Sequence, residues 1–206
     1  PMHVGDLEQL AWAGALRGLP SGERVSGLWN AGLFSRRVPG KAGRQLSLPF
    51  AQPDIPDLQE PEDWARVQAE YGTIGMTLEG HPMTLARELI PPDVLTTVDA
   101  AGLKDRSACE TGGLLVARQR PETANGVIFL LIEDETGTLN LVVPPPVASK
   151  YRLTIRSATL LRARGRIETN QGVVNLLVNH MTEIRPPDPS IKALAPTGFN
   201  FGRRGR

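Results

Sequence analysis

Three arginines at every second position, Arg162, Arg164 and Arg166, interleave with Leu161, Ala163, Gly165 and Ile167 in the run LLRARGRIE. A period of two belongs to an extended strand, whose side chains alternate between its faces. The small and apolar set then turns to a core, and three guanidiniums share the opposite face. Like charges in a stack repel unless an anion lies among them, and the planar fork of arginine matches phosphate oxygens. The spacing predicts contact with a nucleic-acid backbone. A solvated face balanced by Glu133, Glu135 and Glu168 would show the same pattern, and the residues alone leave both readings open. Arg118 and Arg120 upstream, and Lys150 and Arg152 between, would extend a basic patch.

Phe129 is the aromatic of the same region. Alternation sets Ile128, Leu130 and Ile132 on one face and Val127, Phe129 and Leu131 on the other. If the first set forms the core, Phe129 stands outside, where a base can stack on it. Both faces are apolar, so alternation does not choose between them. Glu133-Asp134-Glu135 runs into Thr136-Gly137, and acidic residues favour such turns for conformational reasons, so the cluster reads as a turn and not as a metal site. Three scattered histidines and the single Cys109 offer no metal-ligand spacing, and no nucleophile–base set, P-loop or dinucleotide turn is present. These residues read as a binding module without cofactor, not as an enzyme.

A second motif lies far from the arginines. In GRQLSLPF, an extended backbone would project Leu46, Leu48 and Phe50 to one side, with Gln45 leading and Pro49 barring a helix. Such a segment can dock into a partner's grooves or pack back onto its own domain.

Elements must position these groups. The 206 residues carry 23 basic and 22 acidic side chains, net +1, so any positive surface is local and not spread along the chain. The 18 prolines and 21 glycines exceed the needs of one compact fold and point to linkers. One cysteine excludes an internal disulfide and suits a reducing compartment, and no apolar run approaches a membrane span, so the expectation is a cytoplasmic protein. Residues 1–34 read as two short helices, the first capped by Asp6 and stopped by Gly18 and Pro20, the second capped by Ser21. They cannot bury their own apolar faces, and the chain opens in mid-pattern at Pro1, which suggests a fragment. Residues 35–61 form a proline-rich linker, 62–110 a helical connector, 111–186 a run of five strands, and 187–206 a Gly/Arg tail. Within 111–186 the order is strand, hairpin, connector over 147–158, then a hairpin turning at Asn170-Gln171-Gly172. That is the layout of a five-stranded antiparallel OB barrel, making the chain α+β.

Four pieces in order carry a family resemblance. QLSLPF is similar to the clamp-binding peptides of bacterial polymerases. EYGTIGMTLEGHPM resembles the Gly-His-Pro segment before the OB domain of C-family DNA polymerase alpha subunits, and GGLLVARQRPETANGVIFLLIEDETGTLNLVV resembles that domain in the error-prone branch. LEQLAWAGALRGL and LWNAGL resemble the last helices of the family's helix-hairpin-helix region. The resemblance implies a non-catalytic C-terminal part of an error-prone polymerase, whose palm aspartates lie upstream. It implies a sliding-clamp tether at Gln45, Leu46, Leu48 and Phe50, single-stranded template DNA on the OB face, and a role in synthesis past damage beside other translesion-synthesis proteins. Two other readings fit the residues: a free-standing single-strand nucleic-acid-binding OB protein, and the anticodon-binding part of an aminoacyl-tRNA synthetase.

Overall fold

The computed structural model describes residues 3–19, 23–35 and 57–187. The hook at Gln45, Leu46, Leu48 and Phe50, the cap proposed at Ser21 and the Gly/Arg tail from 188 onward lie outside these residues. The chain divides into two compact units, Pro1–Ile74 and Gly75–Arg206, so the division falls inside the stretch read from sequence as one connector.

The first unit holds α1 (Val4–Trp12), α2 (Arg24–Ser35) and α3 (Asp63–Ile74). Asp6 is not the cap of α1. The helix starts at Val4, which places Asp6 in the first turn, where its carboxylate accepts the His3 amide at 3.0 Å. Nor does α1 run to Gly18. It ends after Trp12, and Gly14 adopts a left-handed φ of +73° with a Cβ position that would meet the Arg24 guanidinium. Arg24 itself is buried. Its Nε donates to Trp12 O at 3.1 Å and its Nη2 donates to the buried Glu70 carboxylate of α3. Arg24, invisible to apolar periodicity, thus joins the three helices through one ion pair and one hydrogen bond.

In the second unit, α4 (Pro82–Ala86) begins where His81 Nδ1 accepts the Met83 amide at 3.1 Å. A five-residue α5 (Thr97–Ala101), too short for a periodic signal, follows and is capped by Thr96. The strands are β1 (Ala108–Gln119), β2 (Ile128–Glu133), β3 (Thr138–Val143), β4 (Leu160–Asn170) and β5 (Val173–Ile184). They form a closed barrel in the order β1-β2-β3-β5-β4. Four seams are antiparallel, but β3 and β5 run parallel, because β5 enters the ring between β3 and β4. Closure removes the free edges that an open sheet would expose. Inside lie Leu115, Leu130, Ile132, Leu141, Leu161, Ala163, Ile167, Leu176 and Val178. The β4–β5 turn is Gln171-Gly172, both with positive φ, as a tight two-residue hairpin requires.

The connector is two short helices, α6 (Pro145–Lys150) and α7 (Arg152–Ser157), whose Ala148 and Ile155 join the core. Arg118 of β1 fixes this cap: its Nε donates to Ile155 O at 2.7 Å and its Nη2 to Ala158 O at 2.6 Å.

The acidic turn between β2 and β3 is a structural hub. Asp134 is buried, and its two oxygens accept the Thr97 amide and hydroxyl, both at 2.7 Å, the Thr136 amide at 2.8 Å and hydroxyl at 2.7 Å, and the Gly137 amide at 3.1 Å. Arg87 pairs with Asp134 and with Glu135, each at 2.8 Å. Donors from the α4–α5 segment and from the hairpin itself converge on one carboxylate. No group of residues able to hold a metal occurs among the described residues.

Burial alone would raise the Asp134 pKa, but the hydrogen bonds from Thr136 and Thr97 outweigh it and hold the carboxyl below its ordinary value. A depressed folded pKa gives stability that is full above the unfolded value, about 3.9, and is lost as pH falls through the folded one. The melting temperature should therefore decline below about pH 4, and Asp134→Asn should flatten that decline while lowering the neutral-pH value. An acid profile of the variant parallel to that of the wild type would contradict this. Arg118→Ala should cost about 2 kcal/mol, read as a lower urea midpoint.

Candidate nucleic-acid interface

The alternation read in β4 holds in space. Leu161, Ala163, Gly165 and Ile167 are buried, Arg164 and Arg166 are exposed, and Arg162 is half-buried on the same outer surface. On β2 the ambiguity resolves outward for Phe129, because Leu130 and Ile132 fill the barrel and Phe129 is 37% exposed.

Register then assembles a surface that sequence alone did not reveal. Gln119 of β1 pairs with Phe129, Phe129 with Val142, Val142 with Leu177, and Leu177 with Arg166. Directly paired residues point the same way, so these five form one outward row around the barrel wall. Its middle is apolar and uncharged: Phe129, Val142 and Leu177 lie side by side, with Gln119 and Arg166 at the ends. The row beside it runs Ala117, Leu131, Asn140, Asn175 and Glu168, which sets two amides against the apolar strip. Val142 and Leu177 escaped the sequence reading because only the parallel β3–β5 seam brings them together.

The eight predicted contact residues do not form one patch. Phe129 and Arg166 share the row. Arg162 and Arg164 lie on the part of the wall formed by β1, β4 and β5, facing a notch. Arg120 is exposed just past the end of β1. Lys150 places its Nζ 5.0 Å from the centre of the Tyr151 ring, and Arg152 is exposed at the start of α7. Arg118 is spent on the two carbonyls that hold α7, so its charge anchors the fold. Glu135, offered as a counter-charge to the arginines, is taken by Arg87.

Chemically, an exposed aromatic beside aliphatic side chains can stack bases, flanking amides can bond base edges, and exposed guanidiniums can take phosphates. Cys109 is partly buried, and burial pushes its thiol pKa up, which suits an inert side chain.

Comparison with known proteins agrees with the fold. Residues 112–184 match the family described as OB-fold nucleic acid binding domain. An error-prone DNA polymerase of Anaeromyxobacter dehalogenans (strain 2CP-C) is 37% identical over 192 residues, covering 93% of this chain and 16% of the relative. The error-prone DNA polymerase of Methylococcus capsulatus is 36% identical over 185 residues, covering 89% of this chain and 17% of the relative. Asparaginyl-tRNA synthetase from Pyrococcus horikoshii superposes with a TM-score of 0.40 at 17% identity, over 45% of this chain and 23% of that one, too loosely to bear on function. The chain thus spans about one sixth of the length of these error-prone DNA polymerases, is homologous to them over that stretch, and carries an OB-fold nucleic-acid-binding domain.

Proposed function

We propose that this chain is a non-catalytic C-terminal portion of an error-prone DNA polymerase whose barrel holds single-stranded template during synthesis past damage. The observation that carries the reading is the outward row on the wall, with Phe129 37% exposed between Gln119 and Val142. Bases stack on Phe129, Val142 and Leu177, while Arg166 at the end of the row takes a phosphate. Arg120, Lys150 and Arg152 add to the local positive field that draws the strand in. An apolar strip with amides beside it suits unpaired bases better than a duplex, whose bases are already stacked.

The second part of the proposal concerns the hook. Gln45, Leu46, Leu48 and Phe50 bind the bacterial sliding clamp and tether the polymerase, and other translesion-synthesis proteins join it there. The site of action is cytoplasmic, and this portion works without a cofactor.

Binding of fluorescent oligothymidine to the chain tests the barrel. Phe129→Ala should cost about 1–3 kcal/mol, the size of one stacked base. On an oligomer of about sixteen nucleotides, long enough to reach all three, the triple change of Arg162, Arg164 and Arg166 to alanine should reduce the salt slope by up to about three phosphate contacts. Arg118→Ala should leave affinity unchanged. An unaltered affinity in Phe129→Ala would sink the stacking surface. For the tether, a peptide of residues 43–58 should bind purified clamp, and Leu48→Ala with Phe50→Ala should abolish that binding. Equal binding by both peptides would remove the hook from the account.

A further inference from the structure

The β4–β5 pairing slips between Arg164 and Gly165: Arg164 faces His180, but Gly165 faces Val178, and Asn179 is left over. This is a β-bulge, the usual device for re-aiming side chains on a sheet. The buried alternation of Leu176 and Val178 breaks here, and Asn179 and His180 are exposed in succession. Both line a notch of about 390 Å³ with Glu110, Arg162, Arg164 and Thr182. Glu110 pairs with Arg162 at 3.3 Å, while no ion-pair partner of Arg164 occurs among the described residues. The His180 ring is set by an edge contact with Tyr151, 5.4 Å between centroids at 68°.

The donor set is specific in its sum. One guanidinium, Arg164, is unmatched, so the notch favours a single negative charge. The Asn179 amide and the Thr182 hydroxyl can bond the same oxygens, and the Glu110 carboxylate, with the Asn179 carbonyl, can accept from a ligand that also donates. A phosphodiester-linked nucleotide has that combination: one charge, and donors on its base. β4 is not a neighbour of β2 in the ring, being separated from it by β1 on one side and by β3 and β5 on the other. The notch therefore lies on a different side of the barrel from Phe129, and Arg166 stands between them, two positions from Arg164.

The geometry points to a second nucleic-acid subsite here. The notch takes one nucleotide of a strand that crosses the Phe129–Val142–Leu177 strip and continues round the wall past Arg166, with its phosphate on Arg164. This rests on the nucleic-acid reading above and extends it to a strand that wraps the barrel.

Oligothymidines of about four and about sixteen nucleotides, the limits of strand length per OB fold, separate the two sites on the full 206-residue chain. Arg164→Ala should leave the short oligomer's affinity unchanged, weaken the long one about tenfold, and lower the long oligomer's salt slope by about one. Asn179→Ala should weaken the long oligomer alone, and Arg164→Lys should restore part of its affinity by keeping the charge without the fork. Phe129→Ala should weaken both lengths. Arg164 is exposed, so melting temperatures should stay level across these variants. The subsite is overturned if Arg164→Ala spares the long oligomer, or weakens both lengths alike. A wild-type chain that binds neither length overturns the nucleic-acid reading itself, and the notch with it.

Discussion

At Gly165 the barrel wall allows no side chain. A Cβ there would sit 2.1 Å from the Leu177 carbonyl oxygen and 3.1 Å from the Val178 Cα. That close approach lets β4 and β5 stay paired across the slip, and both outer surfaces depend on it. On one side of the slip, Leu177 stays in register with Arg166 and reaches Val142 across the parallel seam. On the other side, Asn179 and His180 turn outward together against Arg164. An alanine at this position must move a backbone carbonyl, and backbone cannot yield as a flexible side chain can.

The barrel also explains why an acidic turn and a basic residue read as binding or surface features serve as supports of the fold. Asp134 collects donors from its own hairpin and from Thr97 and Arg87, so the α4–α5 segment is held to the β2–β3 corner by one saturated carboxylate. Leaving such a carboxylate without its partners would strand a buried charge, which costs far more than an exposed ion pair contributes. Arg118 does the equivalent at the other helical segment, through carbonyls at the end of α7. Both leave the middle of the outer row to neutral side chains, which is what a base-stacking surface needs.

Much of this was legible in the residues. Alternation in LLRARGRIE named the buried and exposed sets of β4 correctly, and the Asn170-Gln171-Gly172 turn stands where a tight hairpin was expected. Phe129 could not be placed by alternation because its strand is apolar on both faces, and only burial of Leu130 and Ile132 decides it. The residue register between distant strands was not legible at all. Nothing local says that β5 enters between β3 and β4, yet that insertion makes Val142 and Leu177 neighbours. The bulge had a faint signal, since Leu176 and Val178 share one parity and Met181 the other. Helix α1 was overextended because its apolar spacing continues through Ala15 and Leu16, while Gly14 and the Arg24 side chain end it at Trp12.

The central claim is that a nucleic-acid strand lies on the outer row of the barrel. Chemical-shift mapping of the isotope-labelled chain, titrated with an oligothymidine of about ten nucleotides, tests it residue by residue. The account predicts that the largest shifts gather at Phe129, Val142, Leu177 and Arg166. Shifts confined to residues 1–74, or a barrel whose signals do not move, would contradict it.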